Sequence, residues 1–177
     1  MLFRSLFDQR QASAYPYLAD NLVKMPSTDF LVKPLSVKPR NKVWKYDLED
    51  GLSIEAINVI HGEIPAVSWR VNSKNCSVVF SGDFNGSSGN LSKLVNDSNL
   101  LIVNNAIPQN AGNVAKNLHI TPLDIGKLAK DAGVKKLGLS HFMNRTINRK
   151  DETIELIRQS YNGEIILAED LMIIGVE

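Results

Sequence analysis

The stretch Ser77-Val78-Val79-Phe80-Ser81-Gly82-Asp83-Phe84-Asn85-Gly86 decides the fold class. Val78, Val79 and Phe80 form a short apolar run of strand formers with turn residues after it, the pattern of a buried strand. Ser81 and Gly82 then deliver one carboxylate, Asp83, at the C-terminal end of that strand. Gly86 and Gly89 follow, so the backbone turns sharply. An acid just past a strand also serves as a turn residue or helix cap. What lifts Asp83 above that role is its company: His61, His119 and His141, the three histidines of the chain.

Upstream, Val43–Leu48 alternates as a half-buried strand, and Asp50-Gly51 is a turn signal. Leu52–Ile60 reads as a strand with Leu52, Ile54, Ala56, Asn58 and Ile60 on one face, ending at His61-Gly62. Ala66–Val71 is a further strand, so the first half is mostly antiparallel β. Residues 1–40 read as an irregular or helical lead-in, interrupted by Pro16, Pro26, Pro34 and Pro39. Downstream, Leu91–Val95 is a short helix and Leu100–Val103 a buried strand. Pro108–Lys116 is a helix or a loop. Thr121-Pro122-Leu123-Asp124 opens a helix, with Thr as N-cap, Pro at the first helical position and an acid at the third. Ile125, Leu128, Ala129 and Ala132 form its apolar face and Gly133 ends it. Lys136–Ser140 is a strand ending at His141, and Asp151–Tyr161 an amphipathic helix. Glu164–Ala168 and Leu171–Val176 are expected to close the chain as two strands.

With 177 residues the chain is long enough for one domain with a real core. Its net charge of +1 and lack of a basic run give no support to non-specific nucleic-acid or membrane binding. Cys76, the single cysteine, excludes an intrachain disulfide and a cysteine zinc cage, and its neighbours suggest a core thiol. No stretch reads as a membrane span. Arg4 is not followed by a long apolar run, so no signal peptide is expected and a cytoplasmic location follows.

His61, Asp83 and His141 share one address: each is read as lying just beyond the end of a predicted strand. If those strands run the same way in one sheet, their side chains gather at one edge, where sites of α/β structures collect. Imidazole and carboxylate are ligands for zinc, iron or manganese. Taken singly, His61 also fits a turn beside Gly62, and His141 a core position before Phe142. His119, just before the helix at Thr121, fits an oxyanion donor, a residue behind the ligands or a solvated loop.

From about Leu52 to Glu177 the chain resembles the second half of the metallo-β-lactamase-superfamily hydrolases, most nearly the branch containing ribonuclease Z. The resemblance rests on Val59-Ile60-His61-Gly62 with Trp69-Arg70, and on Val79-Phe80-Ser81-Gly82-Asp83. It continues in His119-Ile120-Thr121, Leu139-Ser140-His141 and Ile166-Leu167-Ala168-Glu169-Asp170. It implies an α/β (α+β) fold: half or more of an αββα sandwich, with a mixed sheet and helices on one face. It implies a two-metal site, with zinc (or manganese or iron) held by His61 and His141 and bridged by Asp83. Catalysis would fall to His119, assisting substrate or leaving group, and to Asp83, and an ester or phosphodiester would be hydrolysed through a metal-bound hydroxide. Nucleic acid enters as a partner only by this analogy.

Two departures stand beside the resemblance. The family's His-x-His-x-Asp-His is absent, and Asn104-Asn105 stands where ribonuclease Z relatives carry His-Glu. The expectation is therefore one domain over residues 1–177, truncated at its N-terminus. With two ligands per metal, the chain alone would bind metal weakly and have little or no activity. The alternative is a non-catalytic interaction module that associates, as a homo-oligomer or with a complementing chain, through a sheet face left bare.

Overall fold

The computed structural model describes residues 42–176. The lead-in expected over residues 1–40, and with it the extent of the domain, lies outside them. Seven strands and four short helices follow in order. They are β1 (Trp44–Asp47), β2 (Ser53–His61), β3 (Ile64–Asn72), β4 (Ser77–Phe80), α1 (Ser92–Val95), β5 (Leu100–Asn104), α2 (Asn113–Leu118), α3 (Pro122–Asp131), β6 (Lys136–Ser140), α4 (Lys150–Arg158) and β7 (Glu164–Leu167). A 3-10 turn at Glu49–Gly51 joins β1 to β2, at the expected Asp50-Gly51.

The strands lie in one sheet in sequence order. β1 to β4 pair antiparallel, and β4 to β7 pair parallel. Antiparallel β3 reverses the chain twice between β2 and β4, so β2, β4, β5, β6 and β7 all point the same way. Their C-terminal ends form one edge, and that edge carries the site.

The register puts Ile57, Val59, Val79, Leu101, Val103, Leu137 and Leu139 on one face, where they pack with Leu94, Ile125, Ala129 and Ile157 of the helices. Each such Leu or Ile side chain taken out of water contributes about 1.5–3 kcal/mol. The opposite face has no helix layer among the described residues and leaves Tyr46 and Phe80 each 45% exposed. This is the α/β arrangement expected, a mixed sheet with its helices on one side.

Several local readings change. The core face of β2 is that of Ile57 and Val59, while Leu52 and Ile60 are exposed. Both faces of this strand are apolar, so alternation alone could not choose between them. Helix α2 settles the Pro108–Lys116 segment as a loop followed by a helix. Thr121 precedes α3 but does not cap it through its side chain; its hydroxyl donates to Asp124 Oδ2 at 2.7 Å. Cys76 is half-buried in the turn before β4, not in the core. Leu171–Val176 forms no strand: Leu171 and Ile173 are almost fully exposed, and no sheet edge pairs with them among the described residues. Strand propensity without a partner leaves backbone groups to solvent, so it does not make a strand.

Candidate metal-binding site

β4 ends at Phe80, and the Ser81 N–H still donates to Ile102 O at 2.9 Å, extending the parallel pairing by one residue. The chain then turns through Gly82, whose φ is +59°. A side chain there would be strained, and its Cβ would lie 3.0 Å from the Val67 carbonyl oxygen. The turn is tied down on both sides. Ser68 Oγ donates to Ser81 O, and Asn104 Nδ2 donates to Gly82 O at 3.0 Å. Asp83 is thereby held at the sheet edge with its side chain 37% exposed.

His61 closes β2. Its Nδ1 lies 2.7 Å from Leu118 O. A carbonyl only accepts, so Nδ1 carries the proton and Nε2 presents its lone pair. That Nε2 is 3.9 Å from Asp83 Oδ2. Helix α2 supplies the anchor. The last carbonyls of a helix have no intrahelical partner, and here Asn117 O accepts from Gly62 N at 3.0 Å and from Asn85 Nδ2 at 2.7 Å. One helix end thus fixes the loops that follow β2 and β4.

His119 continues from α2, its N–H donating to Ala115 O. It is 7% exposed, and its ring centroid lies 5.0 Å from that of His61 and 5.8 Å from that of His141. Burial holds its pKa below the ordinary imidazole range. Asp83 opposes that shift, and His61, His141 and Arg145 reinforce it. His141 follows β6 with φ +56° and places Nε2 3.6 Å from Asp83 Oδ1. Asp83 therefore stands between two imidazoles, one at each oxygen.

The structure brings all four expected residues together. The ligand atoms of His61, Asp83 and His119 lie within 4.8 Å of one another, two imidazoles and a carboxylate that could hold a metal ion. The donor set fits zinc, which takes nitrogen and carboxylate oxygen, and the Leu118 carbonyl orients His61 as the partners of metal-bound histidines do. His119, expected as an accessory residue, is within ligand distance; His141, expected as a ligand, meets Asp83 from its other side.

No family model matches the chain. Over 77 residues, 43% of this chain and 25% of the relative, it is 32% identical to Ribonuclease Z of Haloarcula marismortui. YhfI from Bacillus subtilis, a metallo-β-lactamase fold protein, superposes with a TM-score of 0.61 at 19% identity, over 77% of this chain and 53% of that one. The short form of human tRNase Z gives 0.58 at 26% identity, over 77% and 47%. The chain has the metallo-β-lactamase fold. It spans about half the length of these two solved structures.

Within this metallo-β-lactamase fold, sequence reasoning missed the groups behind the histidines. The Asn117 and Leu118 carbonyls and Asn85 carry no motif signal, because a carbonyl belongs to every residue. Asn104 and Asn105 do share the address of Asp83 and His141, at the end of a parallel strand. Asn105 is fully buried with neither amide atom hydrogen-bonded, and Asn104 Oδ1 and His119 Nδ1 are also without protein partners. Unpaired buried polar atoms cost about 1–3 kcal/mol each.

Proposed function

We propose that this chain is a metal-dependent hydrolase acting on an ester or phosphodiester bond. The observation that carries the reading is the convergence of His61, Asp83 and His119 at ligand distance, with His141 on the second oxygen of Asp83. A catalytic zinc keeps about three protein ligands. The donors present match that number, so binding is expected to be tighter than the strand-end ligands alone suggested. When bound, the metal supplies a Lewis acid and lowers the pKa of water. His61 enters as a ligand with its tautomer set by Leu118 O. His119 completes the ligand set, and burial, which holds its pKa below the ordinary imidazole range, favours the neutral ring that a metal needs. The similarity to ribonuclease Z supports a phosphodiester, and with it RNA, as the substrate.

The test is elemental analysis after dialysis against trace zinc, joined to turnover of bis(p-nitrophenyl) phosphate and p-nitrophenyl acetate with zinc or manganese. About one metal per chain is expected, lost with its activity in Asp83→Ala. A chain that retains no metal, or whose turnover is the same in Asp83→Ala, overturns the proposal. A second reading, a non-catalytic module that self-associates, draws on the exposed Tyr46 and Phe80 of the sheet face without helices. It predicts a metal-free dimer by light scattering, and a monomer excludes it.

A further inference from the structure

Helix α2 is a marginal element on which the site depends. It has six residues, none of them buried, and no side chain caps its N-terminus at Gly112. Val114 is 83% exposed, and Leu118 is half-buried against the Gly62 turn, where an added Cβ would lie 2.8 Å from Leu118 Cδ2. A helix this short is not stable by itself in water. Two metal-site residues nevertheless hang on it. Leu118 O orients the His61 ring, and the His119 N–H donates to Ala115 O at 2.9 Å. Whatever holds the last turn of α2 in place therefore holds two of the three candidate ligands.

Besides His61 itself, Asn85 is the described side chain that bonds this turn. Its Nδ2 donates to Asn117 O at 2.7 Å. The Ser87 N–H and Oγ donate to its Oδ1 at 2.9 and 2.7 Å, which fixes the amide atom that is the oxygen. The Asn85 N–H donates to Ile60 O at 2.8 Å. Asn85 follows Asp83 by two residues, and Ile60 directly precedes His61. One asparagine thus ties the Asp83 loop both to the end of β2 and to the last turn of α2.

We propose that Asn85 is a positioning residue of this site: by holding the last turn of α2 it sets the tautomer and ring orientation of His61 and the approach of His119 to Asp83. The orientation of His61 stands on hydrogen bonds alone; its consequence for metal binding rests on the hydrolase reading above. Loss of Asn85 falls on the site more than on the fold. In Asn85→Ala, Asn117 O keeps the Gly62 N–H, and the freed Ser87 N–H belongs to an exposed residue and turns to water. No buried group is left stranded, so the stability cost is small.

The first measurement is NMR on the metal-free chain. Long-range proton–nitrogen spectra of the wild type should show His61 in its Nδ1–H form, with protected amides at Lys116 and His119. N85A should mix the two tautomers and speed exchange of those amides by about ten-fold, the upper scale of one hydrogen bond. The amides of α3 and the urea midpoint should match the wild type. Zinc titration by calorimetry is the second measurement. N85A should weaken binding about 10–100-fold, the range for a residue that orients a metal ligand. S87A, which keeps the bond to Asn117 O, should bind as the wild type does. An unchanged His61 tautomer and zinc affinity in N85A overturn the proposal. A fall in the urea midpoint with protection lost equally in α3 would make Asn85 structural and also sink it. Equal weakening in S87A would place the effect in the turn of the loop and not in the bond to α2. A wild type that binds no zinc, while its tautomer and α2 still respond to N85A, would sink the hydrolase reading and leave Asn85 as the residue that orients His61.

Discussion

His141 is expected to be more costly to the fold than a glycine would be. Its φ of +56° lies in the left-handed region, where an L side chain costs roughly 1–2 kcal/mol. Glycine removes that cost but adds about 0.5–1 kcal/mol of unfolded-state entropy. Relative to alanine at the same position, glycine should therefore be more stable by about 0.5–1 kcal/mol. Both substitutions delete the same half-exposed imidazole and its 3.6 Å approach to Asp83, so comparing them isolates the backbone. The corresponding gap in Tm is about 1–4 °C for a chain of this size. Urea and thermal unfolding of His141→Gly and His141→Ala, both metal-free, provide the measurement. Both variants should lose the contact to Asp83, whatever their stability. If His141→Ala proves as stable as His141→Gly, the left-handed turn carries no strain and the reasoning fails. If the ordering holds, the left-handed turn at His141 carries a backbone cost for any residue with a Cβ.

Two further expectations concern the scaffold. Gly126 of α3 faces α4 so closely that an added Cβ would lie 2.7 Å from the Ile157 carbonyl oxygen and 3.1 Å from its Cα. Alanine should gain about 1 kcal/mol of helix propensity yet lose about 1–3 kcal/mol to overpacking against backbone. A lowered urea midpoint is expected, and a raised one would mean the helices separate freely. Tyr161 is buried, with its hydroxyl 3.1 Å from Val134 O and 3.0 Å from Lys135 O, and Tyr161→Phe should cost about 1–3 kcal/mol by leaving those carbonyls short of a donor. Burial raises the Tyr161 pKa, with Glu164 adding to the shift and Arg158 opposing it. Above the unfolded phenol value of about 10, the unfolded chain sheds its proton while the folded chain keeps it, so this stabilisation is present below that pH and falls as pH rises. The stability gap between the wild type and Tyr161→Phe should narrow in that range, and parallel curves at pH 7 and above 10 would contradict it.

What was legible in the sequence follows from what sequence patterns encode. Apolar runs bounded by turn residues mark β4, β5 and β6 because a strand packed against helices needs both. Helix α3 is marked by Pro122 at its first position and the spacing of Ile125, Leu128 and Ala129. The core face of β2 and the state of Leu171–Val176 were not legible, because each depends on a neighbour: the first on which face the helices cover, the second on whether any strand edge is available. The site sits between these cases. That His61, Asp83 and His141 each close or follow a strand can be read directly. That they meet cannot, because it depends on strand direction. β3 supplies the missing step: its two reversals return the chain to the direction of β2 at β4, and the parallel connections through α1, α2 and α3 preserve that direction to β6. One strand more or fewer between β2 and β4 would send His61 to the opposite edge. Deleting or duplicating the β3 hairpin arm therefore differs in kind from any change inside it, since it would divide the histidines between two ends of the sheet however well that sheet packed.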